Sequence, residues 1–215
     1  MTGTPRRKER LLTAIEVIAF SGLILSYIWV WKGSFRGNVP LVLALYFGIG
    51  LETHLRRHER PDRIGLTFTN VGPAARLALF WVGPIVVAIS AAGLALGSWH
   101  PPSQPLLAAA WHLSWGTIQQ YGLLAVLFRR LEELFPAEGA AELATGLIFG
   151  AFHLPNPFLA PAAVSFGILA AWLYRREPNL LVMGVCHAAV GAALTHALPL
   201  SLTWGMRVGP GVFRM

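Results

Sequence analysis

AARLALFWVGPIVVAISAAGLALG, residues 74–97, decides the class of this protein. The run carries a single charge, Arg76. An α-helix needs about 20 apolar residues to cross a hydrocarbon layer about 30 Å thick, and this run is long enough. Working outward, apolar runs recur over residues 11–31, 40–55, 105–128, 140–154, 158–174 and 179–198. Helix breakers separate them: Gly33 to Pro40, Pro61-Asp62-Arg63, Pro101-Pro102 through Pro105, Phe135-Pro136, Leu154-Pro155-Asn156-Pro157 and Glu177-Pro178-Asn179. One small globular core has no room for so many runs. The expected fold is all-α, a polytopic transmembrane helix bundle of about seven spans, with residues 1–215 forming a single membrane domain. The composition agrees, with 13% charged residues against about 25% in soluble domains.

A net charge of +7 raises nucleic acid as a partner, but the arrangement of the charges argues against it. The basic residues stand in short clusters between apolar runs: Arg6-Arg7-Lys8-Glu9-Arg10, Arg56-Arg57, Arg129-Arg130 and Arg175-Arg176. No basic face interleaved with aromatics is present, so no nucleic acid is expected. Clusters beside spans meet anionic headgroups and orient the chain, which makes membrane lipid the expected partner. Counted on alternate sides of seven spans, thirteen Lys and Arg fall on the side of Arg6, Arg7, Lys8 and Arg10, together with Arg56, Arg57, Arg60, Arg63, Arg76, Arg129, Arg130, Arg175 and Arg176. Only four, Lys32, Arg36, Arg207 and Arg214, fall on the other. The N-terminus is therefore expected in the cytoplasm. The basic start and first apolar run resemble a signal peptide, but no small-residue cleavage site is evident and the run reads as a retained helix. Cys186, the lone cysteine, forms no intrachain disulfide and reads as a small core residue. The stretch from Ser201 to Met215 has no single placement from sequence; lying along the interface is one option.

Glu16 and Glu52 lie near span ends, where their side chains are expected to reach water, and Glu132-Glu133 reads as a solvated helix end. His54 and His196 have no context suggesting a role. Gln119, Gln120, His153, His187 and His112 stand at membrane depth, where a polar group is costly unless it finds a partner. Helical spacing gives each a stripe of small residues: His112, Trp115, Gly116 and Gln119; Gly146, Phe149, Gly150 and His153; Gly184, His187, Ala188 and Gly191. If the stripes face one another, one polar cluster forms near mid-membrane. Isolated hydrogen bonds that merely tie helices together would leave the same pattern.

Gln119-Gln120, then Phe149-Gly150-Ala151-Phe152-His153, then His187, together resemble the CPBP family, which holds the CAAX prenyl proteases and bacteriocin-processing or immunity membrane proteins. The resemblance covers residues 105–198. The family pattern is Glu-Glu with Arg four residues on, then Phe-xxx-His, then His-xxx-Asn. It implies an intramembrane endopeptidase in which a glutamate activates water while histidines and Asn orient it and stabilise the oxyanion. Carried over, Gln119 and Gln120 take the two glutamate positions, and His153 and His187 match directly. Leu124 replaces the Arg and Gly191 the Asn. A primary amide does not act as a general base, so His153 or His187 would have to. Phe149, Gly191 and His112 would line such a site. No H-E-x-x-H pattern and no buried carboxylate accompany the histidines, so neither a metal nor another cofactor is expected.

The resemblance thus implies a protease with a degenerate acid/base site, acting on a membrane-associated peptide or lipidated protein. The alternative is a non-catalytic binding or immunity-type protein on the same scaffold. A transporter is disfavoured because no intramembrane acid is available for ion coupling.

Overall fold

The computed structural model describes residues 7–32 and 38–213, so Arg6, Gly33, Arg36, Gly37 and Arg214 of the sequence reading lie outside the described residues. The described chain is helical, without a strand. Helix α1 is Arg7–Ser26, prolonged by a π-helical turn Tyr27–Trp31; α2 is Asn38–Arg56 and α3 Val71–Ala95. The fourth expected span is a continuous rod made of α4 (Pro105–Gln120), a π-helical segment Tyr121–Phe128 and α5 (Arg129–Leu134). Then come α6 (Ala140–Ala151), α7 (Leu159–Arg176), α8 (Leu180–Ala197) and the short α9 (Leu200–Thr203). Four helices are long and apolar enough to cross a membrane: Arg7–Trp31, Asn38–Arg56, Val71–Ala95 and Leu180–Ala197. The protein is therefore membrane-embedded and multi-pass. The other expected spans are helical too, but one is interrupted by Gln119-Gln120, α6 has only 12 residues, and α7 ends on Arg175-Arg176.

Why the central rod sits where it does follows from its sequence. Residues Gly122–Phe128 are apolar on every face, and all seven are buried. A helix that is hydrophobic all round belongs inside a ring of others. Its glycine lets Tyr46 of α2 come close, since a Cβ on Gly122 would overlap the Tyr46 ring. The Tyr46 hydroxyl donates to the Ile118 carbonyl at 2.6 Å. Between α6 and α7 the approach is equally tight. A Cβ on Gly146 would stand 2.6 Å from the Val164 carbonyl, and one on Gly167 would stand 2.9 Å from the Gly146 Cα. Small residues at these positions let backbones touch where lipid provides no hydrophobic drive for association.

Helices α3 and α8 run parallel. Near their starts the Leu180 amide donates to the Gly65 carbonyl at 2.8 Å and Asn179 donates to Asn70 Oδ1 at 2.9 Å. Near their ends Gly93 lies against Ala197. Asn179 also caps α8 by accepting from the Val182 amide at 3.0 Å.

At one end of the bundle the arginines are not solvated singly but joined into a network. Arg57 meets Glu16 at 2.8 Å and Glu133 at 3.1 Å. Arg129 meets Glu59 at 2.7 Å, and Arg175 meets Glu142 at 2.6 Å. Arg130, 0% exposed, reaches both Glu59 and Glu133. Two sequence expectations are corrected here. Glu16 does not reach water but pairs with Arg56 and Arg57 at 10% side-chain exposure, and Glu132-Glu133 is a hub of ion pairs rather than a solvated helix end. Glu16 needs partners because the neighbouring helix ends displace its water, and Glu132 and Glu133, 34% and 37% exposed, keep some water beside their arginines; sequence periodicity reports neither. His54, too, has a context: its Nδ1 lies 2.6 Å from Glu59.

The stretch after α8 folds back instead of lying free. Asn156, fully buried between α6 and α7, donates to the Thr203 carbonyl at 3.0 Å and the Arg207 carbonyl at 3.1 Å. The Gly209 amide donates to the Leu154 carbonyl at 2.8 Å.

Candidate functional site

Helices α4 and α8 cross with backbone close to backbone. A Cβ on Gly116 would stand 3.1 Å from both the Ala188 amide nitrogen and the Gly184 carbonyl. That approach brings the last residue of α4 onto α8. The Gln120 side-chain amide donates to His187 Nδ1 at 2.8 Å, and Gln120 is 0% exposed. The face of α4 turned to α8 is thus His112, Gly116 and Gln120, spaced by four, not the His112-Trp115-Gly116-Gln119 stripe. Trp115 points outward, 41% exposed, and stacks on Trp111. Gln119 is half-buried and makes no hydrogen bond among the described residues. The π-helical segment begins at the next residue, Tyr121. A five-residue hydrogen-bond spacing widens the turn, a distortion often found beside functional side chains.

His153 closes the last turn of α6. Its Nδ1 lies 2.7 Å from the Phe149 carbonyl. A carbonyl only accepts, so Nδ1 carries the proton and Nε2 keeps the lone pair. The Phe149 ring meets His153 edge-on at 4.6 Å and His187 at 5.9 Å, and so stands between the two imidazoles. Phe166 of α7 packs on the other side of His187 at 5.6 Å. Gly191, one turn further along α8, faces both histidines of the seam: a Cβ there would stand 3.7 Å from His112 Nδ1 and 4.0 Å from His187 Cδ2.

Three elements therefore bring polar side chains around Phe149: buried Gln120 from α4 bonded to half-buried His187 from α8, and half-buried His153 from α6 on the same ring. Gln120 Oε1 is buried and has no partner. A buried acceptor left open in an otherwise apolar region costs about 1–3 kcal/mol, so a group able to donate to it is favoured there. The amide can equally present its oxygen to His187, accepting from Nδ1–H and freeing Nε2. Glutamine thus serves either histidine tautomer, where a carboxylate would serve only one. Leu124 is fully buried in apolar surroundings. Among the described residues no His, Cys, Asp or Glu trio is arranged to hold a metal ion.

Sequence reasoning passed over His196. Its ring lies 5.7 Å from His112 and 5.9 Å from His100, and both its ring nitrogens are buried without a partner. Its spacing of nine from His187 hid the relation, because His112 on another helix provides the link.

No curated protein and no solved structure matches the chain. Residues 120–193, which begin at Gln120 and take in His153, His187 and Gly191, match the family model described as Type II CAAX prenyl endopeptidase Rce1-like. Over that stretch, about a third of the chain, the protein is similar to the Rce1-like, CPBP family.

Proposed function

We propose that this protein is an intramembrane peptide-bond hydrolase of the CAAX-protease type whose general base is a histidine. The observation that carries the reading is the hydrogen bond between Gln120 and His187 beside His153, whose Nε2 lone pair is free. A water between Nε2 of an imidazole and Gln120 Oε1 would donate to both. The base takes one proton as the oxygen attacks the scissile carbonyl carbon, and returns it to the amine nitrogen as the C–N bond breaks. Gln120 orients the water and does not deprotonate it. The substrate is a membrane-associated peptide or lipidated protein, held at a site that lipid-facing helices open to the bilayer. Gln119 lies beside this arrangement as a positioning residue, and His112, Phe149 and Gly191 line it.

One observation favours a second, non-catalytic reading. Against the family pattern both acids, the arginine and the Asn are replaced together, by Gln119, Gln120, Leu124 and Gly191. Loss of both members of an ion pair avoids an unpaired buried charge, so the replacements form a stable set that a binding protein would retain. We further propose seven spans with the N-terminus in the cytoplasm of a bacterium. The parallel run of α3 and α8 supports this, because three intervening spans would bring α8 back to the direction of α3.

The test uses the purified protein in liposomes with peptides ending in a prenylated cysteine and three further residues, read by mass spectrometry. Cleavage that disappears in His187→Ala and His153→Ala, and rises in Gln120→Glu, is the expected result. Retained peptide binding with no cleavage by any variant would establish the binding reading instead.

A further inference from the structure

His187 is enclosed by Gln120, Phe149 and Phe166, yet a line of imidazoles leads from it to the bundle surface. Next to it, across the space left by Gly191, comes His112 of α4. His112 meets His196 of α8 at 5.7 Å, ring to ring and nearly perpendicular at 83°. His196 meets His100 at 5.9 Å. His100 is exposed, in the turn between α3 and α4, at the end of the bundle opposite the arginine network.

Local bonds hold the line in place. The His100 amide donates to the His196 carbonyl at 2.9 Å, and Ser98 Oγ donates to the Ala197 carbonyl at 2.7 Å. His100 Nδ1 lies 2.7 Å from the Ser98 carbonyl, so it carries the proton and leaves the lone pair on Nε2. His196, midway, has both ring nitrogens buried and unpartnered. Two such nitrogens on one ring are a costly arrangement for a purely structural residue, since a Phe would pack there without that cost. They are what a relay needs, one to accept and one to release.

We propose that His100, His196 and His112 form a proton path between the bundle surface and His187. A proton taken up at one nitrogen of His196 is matched by release from the other. Each buried ring therefore changes tautomer without keeping charge, and single bridging waters span the gaps that the ring separations leave. The groups facing His196 are His100 from the turn and His112 from α4. Helix α3 brings no titratable group to this end, because its Arg76 lies in the opposite half, and α9 carries none. No carboxylate or guanidinium is hydrogen-bonded to the line, so nothing traps the proton on the way. The path rests on the proposed site only for its purpose, the resetting of a buried base.

Exchange of the imidazole C2 hydrogen for deuterium tests it, since that reaction needs both a deuteron on the ring and deuteroxide at it. The full chain in liposomes is incubated in D2O and each histidine is read by mass spectrometry. His187 is expected to exchange measurably in the wild type, and about tenfold more slowly in His196→Phe. Gly191→Val, whose Cβ meets only ordinary contacts, is expected to slow His187 while leaving His196 unchanged. His54 and His58, at the other end, report whether each variant is folded. Unchanged exchange at His187 in both variants, with His54 and His58 as in the wild type, overturns the path. So does an absence of exchange at His187 in the wild type. Loss of cleavage with exchange intact would overturn the proposed protease and not the path.

Discussion

The two ends of the bundle solve the problem of polar groups beside lipid in opposite ways. At the arginine end, Glu16, Arg57, Glu59, Arg129, Arg130 and Glu133 neutralise one another across three stretches of chain. At the other end the helices are tied by neutral groups. Asn156, Ser98 and the backbone provide neutral hydrogen bonds, and histidine nitrogens are left open. The first end is mostly ion-paired and suited to holding helices together, although His54 Nε2, Arg130 Nε and the Tyr174 hydroxyl are buried there without a partner. The second, with the Gln120–His187–His153 cluster below it, retains acceptors without donors, and those are the groups available for a water, a proton or a substrate. Abundance of charge marks one end, and a polar cluster built without carboxylates marks the proposed site.

The sharpest way to break this contrast is Arg130→Leu. Arg130 is 0% exposed and bridges Glu59 and Glu133, so its loss takes one cation from each, leaving Glu59 to Arg129 and His54 and Glu133 to Arg57, and leaves the buried space of the guanidinium to be refilled. Removing one member of a buried pair costs about 3–5 kcal/mol, and unfolding in detergent should register a loss of that size. At the neutral end the comparable change is Asn156→Ala. It removes two bonds to the returning C-terminal stretch and the two that Asn156 Oδ1 accepts from the Phe158 and Leu159 amides at the start of α7. A cost of about 1–3 kcal/mol is expected, unaltered by salt. If Asn156→Ala proves the more damaging, neutral hydrogen bonds and not ion pairs hold the bundle.

The apolar runs made the helices legible, and their boundaries shifted by only a few residues, because breakers at Pro61, Pro101, Pro136 and Pro155 punctuate the chain. The rod through Tyr121–Phe128 was legible as a span, but its continuation into Arg129–Leu134 was not. There the helix is held by ion pairs whose partners lie on other segments. Of the site, His153 and His187 were legible as polar groups at depth. The choice between Gln119 and Gln120 was not, since adjacent residues differ by about 100° of helix rotation and only the crossing of α4 with α8 selects one. Glu59 was silent in sequence: a loop carboxylate becomes a hub only when His54, Arg129 and Arg130 converge on it.

That hub gives the contrast a pH dependence. Burial pushes the Glu59 carboxyl up, but hydrogen bonds from His54 and Arg129 and the Arg129 charge outweigh it and hold it below its ordinary value. A carboxyl lowered in the folded state contributes stability that is fully present at neutral pH. That contribution is lost as the pH falls through its native titration, below the ordinary value of about 4.3. Backbone hydrogen exchange should therefore accelerate around residues 54–64 and 129–133 on acidification, before any change near residues 156 and 203–209. Simultaneous loosening of both ends would show that the ion-pair network is not an independent unit.

The smallest effect expected tests whether burial, and not the mere presence of a pair, sets the cost. Glu52 and Arg56 form an i,i+4 pair on α2, with the acid on the favoured N-terminal side, but their side chains are 53% and 46% exposed. Water and salt already screen both charges, and each side chain loses rotamer freedom in meeting the other. Arg56 also keeps Glu16, at 3.2 Å, when Glu52 is removed. Glu52→Ala should consequently cost about 0.5 kcal/mol or less in detergent unfolding, and that remnant should vanish near 1 M salt, where the screening length falls to about 3 Å. Arg130→Leu, measured in the same salt series, should keep most of its cost because Arg130 and its partner Glu59 are shielded from solvent, at 0% and 9% side-chain exposure. Were the two variants to respond to salt alike, the network would be held by exposed charge, and its difference from the neutral end would be one of composition alone.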